Sequence, residues 1–253
     1  MSVKKKGRTE QGSVEKPWFK FWPKDVRRHI NYPEVPLSEL LRKTAENYPK
    51  QPAIVYFGKQ MAYKELDEAS DRFAAALAAL GVKKGDKVAI FLPNIPQFVI
   101  SYYGTLRLGA VETAISPLYK EREVEHQLND SEAETIVVLD ALYPILENVL
   151  PRTKVRRIVV TGLKDFMPTG TALLGSLFRK IPSYKVEPKP GTYFFKELLS
   201  KYEAKPPKVD IDAKEDLAAL QYTGGTTGIS KGAMLTHMNL VSNAVMCAEW
   251  LKG

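Results

Sequence analysis

Residues 87–115 read KVAIFLPNIPQFVISYYGTLRLGAVETAI, in which three apolar runs are separated by short polar or proline-containing links. The spacing predicts a strand over 87–92, a helix over 96–108 and a second strand over 110–115. A strand, a helix and a second strand at these distances are typical of a parallel sheet. Pro93 and Pro96 also interrupt the longest uncharged stretch, which therefore does not suit a membrane-spanning helix.

The same alternation extends in both directions along the chain. The apolar spacing predicts, in order, a helix over 37–45, a hairpin around Gly58, a helix over 66–80 that stops at Gly81, a helix over 121–129, a strand over 134–139, a helix over 141–150 and a strand over 156–161. Short links between alternating strands and helices favour a sheet that is covered on both faces. The predicted fold class is therefore α/β and layered, with largely parallel sheets and flanking helices.

Composition divides the chain into four predicted regions. They are a polar leader and approach segment (1–35), a first α/β subdomain (36–162), an irregular insertion or linker (163–207) and the start of a second subdomain with the opening strand of a second sheet (208–253). The leader carries much of the excess positive charge, on Lys4, Lys5, Lys6 and Arg8. The insertion is rich in proline, and a helix is predicted only over 193–200.

One part of the insertion, residues 166–185, mixes apolar and basic side chains. It contains Phe166, Leu173, Leu174, Leu177, Phe178, Arg179, Lys180 and Lys185. Such a mixture suits a peripheral contact with a membrane interface. Packing of the apolar side chains on the domain itself is the alternative.

The bulk composition narrows the classes of function. The chain has 253 residues, of which 44% are hydrophobic, and a formal net charge of +8, which suits anionic ligands or surfaces. No element clusters basic and aromatic side chains, so nucleic acid is not expected as a partner. The polar stretch after the basic start argues against a secretory signal, and the single Cys247 fits a reducing cytoplasm.

Residues 217–232 read LAALQYTGGTTGISKG, an apolar strand followed by six residues made only of glycine and threonine. Glycines let successive backbone N–H groups point to one centre, threonines add hydroxyl donors, and Lys231 adds a positive charge before a helical stretch, predicted over 239–251. This combination predicts a phosphate cradle. A tight turn without a ligand would leave the threonines and Lys231 without a role.

Two other phosphate-binding patterns do not fit these residues. The Walker pattern requires Gly-Lys-Ser or Gly-Lys-Thr, but here Ser230 precedes Lys231 and Gly232 follows it. The dinucleotide fingerprint G-x-G-x-x-G is absent because Gly224 and Gly225 are adjacent. The sequence therefore disfavours a GTPase, a kinase and a dinucleotide-binding domain.

The glycine-rich segment resembles the signature of the adenylate-forming superfamily, Tyr-Thr-Ser-Gly-Thr-Thr-Gly-x-Pro-Lys-Gly. It departs from that signature at Gly224 and Ser230, and the run YTGGTTG with the continuation KGAMLTH is similar to bacterial long-chain fatty acyl-CoA ligases. Residues 63–66, 80–90, 92–94 and 109–111 are similar to the first part of the same superfamily. The resemblance runs from Pro36 to the end of the chain and is weakest over 163–205.

This resemblance implies the amino-terminal part of the acyl-CoA synthetase fold and ATP-dependent activation of a long-chain fatty acid to an acyl-adenylate, then to acyl-CoA. ATP, Mg²⁺ and coenzyme A would take part. The implied phosphate-binding residues are Thr223, Gly224, Gly225, Thr226, Thr227, Gly228 and Lys231. Thr223 is also where some relatives place a magnesium-bound hydroxyl. His237 is a candidate supporting residue, with a hydrogen bond to the start of the following helix as the alternative, while His29 and His126 are expected to be structural.

The family's acidic magnesium ligand, its ribose-binding aspartate and its adenylation lysine match nothing in residues 1–253. We therefore expect a fragment that lacks a complete set of catalytic residues, with the downstream half supplied elsewhere, in the cytoplasm or peripheral on the inner membrane face. A non-catalytic nucleotide-binding module and an aryl or medium-chain acyl-CoA ligase remain as alternatives.

Overall fold

The computed structural model describes residues 16–170, 181–224 and 230–251. A 3₁₀ turn at Pro17–Phe21 opens it. The elements that follow are α1 (Leu37–Asn47), β1 (Pro52–Tyr56), β2 (Lys59–Ala62), α2 (Tyr63–Ala79), β3 (Lys87–Phe91), α3 (Pro96–Arg107), β4 (Val111–Ala114), α4 (Glu121–Ser131), β5 (Thr135–Leu139), α5 (Tyr143–Val149), β6 (Arg157–Thr161), β7 (Thr192–Phe194), α6 (Phe195–Lys201), β8 (Leu217–Thr223), β9 (Lys231–Thr236) and α7 (His237–Trp250).

A seven-stranded sheet in the order β7-β6-β5-β3-β4-β8-β9 forms the centre of the described chain. Every neighbouring pair is parallel except β8 and β9, which are antiparallel. β1 and β2 form a separate hairpin. The predicted fold class is confirmed, and the predicted strands and helices between residues 37 and 161 are present with small shifts of their ends.

Apolar side chains fill both faces of the sheet. On one face Phe73 of α2 stacks on Phe195 of α6, with 4.8 Å between the ring centroids. On the other face α4 and α5 contribute Leu128 and Leu146, both fully buried. A Cβ on Gly104 of α3 would come within 2.8 Å of the Phe73 ring, so the absence of a side chain lets α2 and α3 pack closely.

The expectation that residues 208–253 open a second sheet is wrong. β8 pairs in parallel with β4, with Ala219 opposite Glu112, and therefore extends the first sheet. β7, from the predicted insertion, pairs with β6 at the other edge of the sheet. The sequence pattern indicates where strands lie but not which strands are neighbours. The division into four regions stays a prediction.

The approach segment packs on the carboxyl-terminal end of α7. The Trp22 and Trp250 rings meet edge to face at 5.1 Å, and the Arg27 guanidinium binds Glu249, whose side chain is 3% exposed. The leader residues Lys4, Lys5, Lys6 and Arg8 lie outside the described residues.

Only part of the predicted membrane-contact stretch, 166–185, can be placed. Residues 171–180 lie outside the described chain, and with them Leu173, Leu174, Leu177, Phe178, Arg179 and Lys180. Phe166 packs on the core beside Phe195, whereas the Lys185 side chain is 87% exposed. Among the helices that are described, none is long and apolar enough to cross a membrane.

A buried ion cluster joins α1, α2 and α3. Arg107, at the end of α3, has a side chain that is 4% exposed and pairs with Asp67 and, at 2.6 Å, with Asp71 of α2. Arg42 of α1 lies 2.8 Å from the same Asp71 carboxylate. Each charged side chain in this cluster lies beside an opposite charge. Removal of one partner would leave a buried charge without full compensation, which destabilises the fold.

We expect Arg107→Ala to lower the free energy of unfolding by about 3–5 kcal/mol, because Asp67 and Asp71 lose their buried partner. Urea denaturation followed by circular dichroism measures the change. Arg152→Ala, which removes a surface ion pair with Glu125, is the matched control and should have little effect. Equal losses in the two variants would contradict this account.

Glu112 of β4 is a second buried charge site. It is 2% exposed, and its Oε1 atom has no hydrogen-bond partner within the described chain. Burial raises the pKa of Glu112 from 4.5 to about 8. Between these values the folded protein holds a proton that the unfolded chain releases, so the contribution of Glu112 to stability is highest below pH 4.5 and is lost as the pH rises toward 8.

We therefore expect Glu112→Gln to gain stability over the wild type as the pH rises. The difference in unfolding free energy should grow by about 3 kcal/mol between pH 5 and pH 8. Paired urea titrations at both values measure it, and contributions from other titrating groups cancel in the difference. A difference that is independent of pH would show that Glu112 does not titrate in this range.

Candidate functional site

The glycine-rich run lies between two paired strands. β8 ends at Thr223 and β9 begins at Lys231, and these two residues face each other as partners in the antiparallel ladder. Because β8 is parallel to β4, its end lies at the carboxyl edge of the sheet. Ligands of open α/β sheets bind at that edge.

A strand that the sequence did not predict lies between the glycine-rich run and the next helix. Lys231 begins this strand, β9, and the helix predicted over 239–251 is present and starts at His237. Thr223, Gly224 and Lys231 are exposed, and in the described chain Lys231 makes no ion pair. Gly225, Thr226, Thr227 and Gly228 lie outside the described residues.

Gly224 and Gly232 flank the paired residues Thr223 and Lys231, at the end of the hairpin that we call its base. They differ in which atoms an added side chain would meet. A Cβ on Gly224 would have no atom of the described residues within 4 Å, so these residues leave room for a larger side chain there. A Cβ on Gly232 would lie 3.0 Å from two carbons of the Tyr222 ring. Of these two glycines, only Gly232 lies where a side chain would crowd the described structure.

Helix α4 supports this base, which the sequence did not indicate. The His126 Nε2 atom lies 2.9 Å from the Ser230 carbonyl oxygen, and the Tyr222 hydroxyl donates to the Asp130 carboxylate. His126 was expected to be structural, and the structure places it against the candidate site. Its spacing of four residues from Asp130 puts both on one helix face, but nothing in the sequence links that face to residues about a hundred positions later.

His237 lies at the other end of the hairpin. It follows Thr236, the last residue of β9, whereas Lys231 is the first. Six strand residues span roughly 17–20 Å, so the structure does not bring His237 to the glycine-rich run. Its Nδ1 atom accepts the backbone N–H of Leu37 at 3.2 Å, and burial lowers its pKa to about 4. The neutral imidazole thus satisfies an amide at the start of α1.

The described residues do not by themselves form a magnesium site. They contain no group of three histidine, cysteine, aspartate or glutamate side chains that could hold a metal ion. Mg²⁺ prefers several oxygen ligands, and the single Thr223 hydroxyl does not meet that need. The assignment of Thr223 to a metal stays a prediction.

Comparison with known proteins gives one consistent result. The chain matches the AMP-binding enzyme family over residues 41–252. A long-chain-fatty-acid–CoA ligase of Bacillus subtilis (strain 168) is 36% identical over 94% of this chain and 43% of its own length. A ligase of the same name from Salmonella typhimurium is 40% identical over 91% of this chain and 42% of its own length.

A solved structure agrees with these relatives. The long-chain-fatty-acid–CoA ligase of Archaeoglobus fulgidus has a TM-score of 0.71 and 31% identity, over 87% of this chain and 40% of that chain. The chain therefore spans about two fifths of the length of the relatives described.

We expect Gly224→Ser and Gly232→Ala to differ in their effect on stability. Serine at 224 enters open space and should leave the unfolding free energy unchanged, whereas alanine at 232 must displace the Tyr222 ring and should cost about 1–3 kcal/mol. Urea denaturation compares the two with the wild type. A loss at 224 that equals or exceeds the loss at 232 would contradict the geometry.

Proposed function

The chain belongs to the AMP-binding enzyme family, and from that membership we propose that it forms the amino-terminal, phosphate-binding part of an ATP-dependent long-chain fatty acid–CoA ligase. The observation that carries the proposal is the β8–β9 hairpin, which sets Thr223 opposite Lys231 on either side of a glycine- and threonine-rich run at the carboxyl edge of the sheet. The names of the relatives support the choice of substrate.

The proposed reaction has two group transfers. The fatty acid carboxylate attacks the α-phosphorus of ATP, and the bond to the bridging oxygen breaks, which yields acyl-adenylate and pyrophosphate. The coenzyme A thiol then attacks the acyl carbon, its proton is released, and AMP leaves. Mg²⁺, bound to the phosphates, would neutralise part of their charge.

This part of the protein would stabilise the departing pyrophosphate. The carboxylate is already a nucleophile, so the chief requirement is positioned positive charge and hydrogen-bond donors around the phosphates. Thr223 and Lys231 are exposed where the two strands meet the glycine-rich run, so their hydroxyl and ammonium groups are accessible to such a ligand. The proposal extends the cradle to Gly224, Gly225, Thr226, Thr227 and Gly228.

Fatty acid, ATP and coenzyme A are the proposed partners of the longer protein that contains this part. The coverage of about 43% of the Bacillus relative supports the view that further residues complete the reaction centre. We place the protein in the cytoplasm, with a peripheral contact on the inner membrane face as part of the proposal. Because Phe166 and Met167 are packed in the protein, that contact would involve residues 168–185.

A non-catalytic nucleotide-binding module is the second candidate. It would keep the β8–β9 hairpin for binding phosphate and lack the adenylation chemistry. Exchange of labelled pyrophosphate into ATP separates the two once the downstream half of a ligase is supplied, since only a ligase forms acyl-adenylate reversibly. For the 253-residue chain with palmitate and magnesium we expect no exchange, and exchange by this chain would overturn both its incompleteness and the non-catalytic alternative.

We expect Lys231→Ala to weaken binding of pyrophosphate to the chain by about 10- to 100-fold, because one charge-assisted hydrogen bond is worth roughly 1.5–3 kcal/mol. Isothermal titration calorimetry measures the affinity. Lys59→Ala, which removes an exposed lysine of the separate β1–β2 hairpin, is the control and should leave the affinity unchanged. An unaltered affinity in Lys231→Ala would remove this residue from the proposed site.

A further inference from the structure

Helix α4 contacts both ends of the glycine-rich run. The Ser230 carbonyl, which bonds to His126, immediately precedes Lys231. Tyr222, whose hydroxyl donates to Asp130, immediately precedes Thr223. Each contact therefore involves the residue that directly precedes a proposed phosphate-binding residue. His126 and Asp130 are one helical turn apart, so a single face of α4 makes both contacts.

The identity of the donor at Ser230 follows from chemistry. A backbone carbonyl can only accept a hydrogen bond, so Nε2 of His126 must carry the proton at 2.9 Å. The contact does not depend on the side chain of Ser230. It depends only on the path of the backbone that leads into Lys231.

Helix α4 is itself held firmly to the sheet. Val124 and Leu128 are fully buried in the core. The Gln127 amide donates to the Thr113 hydroxyl and to the Ala114 carbonyl, both at 2.9 Å. The Thr113 hydroxyl donates in turn to the Leu220 carbonyl of β8. The helix, β4 and β8 are thus joined by one chain of hydrogen bonds.

The Tyr222 ring completes the arrangement. It lies edge to face with the His126 ring, with 6.4 Å between the centroids, and it also lies close to Gly232 of β9. The ring therefore contacts both α4 and the second strand of the hairpin. A shift of either strand end would have to move this buried ring or break its bond to Asp130.

We propose that His126 and Asp130 are positioning residues, which fix the strand ends that carry Thr223 and Lys231 and so hold the phosphate-binding groups ready before the nucleotide arrives. This role rests on the proposed function. Groups that are already in place lose less conformational entropy on binding, so their interactions with the phosphates are stronger. Neither residue needs to touch the nucleotide.

The test compares His126→Ala with His126→Gln, whose side-chain amide retains an N–H donor. Pyrophosphate affinity is measured by calorimetry and exchange of the Thr223 and Lys231 backbone amides by NMR without ligand, on the 253-residue chain. We expect His126→Ala to weaken the affinity by about tenfold, as for one lost hydrogen bond, and to speed exchange at both amides. His126→Gln should recover at least part of both.

Two further variants separate positioning from general loss of structure. Tyr222→Phe removes the bond to Asp130 but keeps the ring against Gly232, and it should speed exchange at Thr223 and Lys231 in the same way. Asn129→Ala, on the same helix, loses a bond to the Arg152 carbonyl that does not involve the hairpin and should leave both readouts unchanged.

The outcomes distinguish this inference from the proposed function. Unchanged amide exchange in His126→Ala and Tyr222→Phe, or faster exchange throughout the protein, would overturn the positioning role. If the wild type does not bind pyrophosphate, the proposed function fails. In that case amide exchange would still test the contact of α4 with the strand ends, because this readout needs no ligand. Faster local exchange in His126→Ala, reversed in His126→Gln, would support that contact.

Discussion

The pairing of β8 with β4 is the contact on which the candidate site depends. It places Ala219 opposite Glu112 and lets the Thr113 hydroxyl bind the Leu220 carbonyl. Because the two strands are parallel, β8 ends at the carboxyl edge of the sheet, beside α4, and β9 returns from there. Thr223 and Lys231 acquire a defined position relative to α4 only through this pairing.

The packing around that pairing contains polar groups whose burial opposes folding unless they are compensated. The Arg107 cluster meets the condition, since each guanidinium has carboxylate partners from α2. Replacement of such clusters by apolar residues often stabilises proteins, so their value lies more in fixing how helices meet than in net stability. Glu112 is compensated by a proton instead, because burial raises its pKa to about 8.

Local pattern predicted most of the fold because helices and strands with a buried face carry a regular apolar spacing. It did not predict the strand at residues 231–236, because six residues are too few to show a clear periodicity on their own. Their antiparallel pairing with β8 makes them a strand. The partner of His237 was missed for a related reason, since the Leu37 amide is 200 residues away in sequence.

The sequence by itself determined the α/β alternation and the family resemblance, and it predicted a phosphate-binding role for residues 223–228 and 231, since each depends on neighbours along the chain. Only the tertiary structure decided that β8 joins the first sheet, that Lys231 faces Thr223, and that His126 and Asp130 support them. The physical reason is that hydrogen bonds between distant segments form once the sheet has brought the segments together, and no local spacing encodes them.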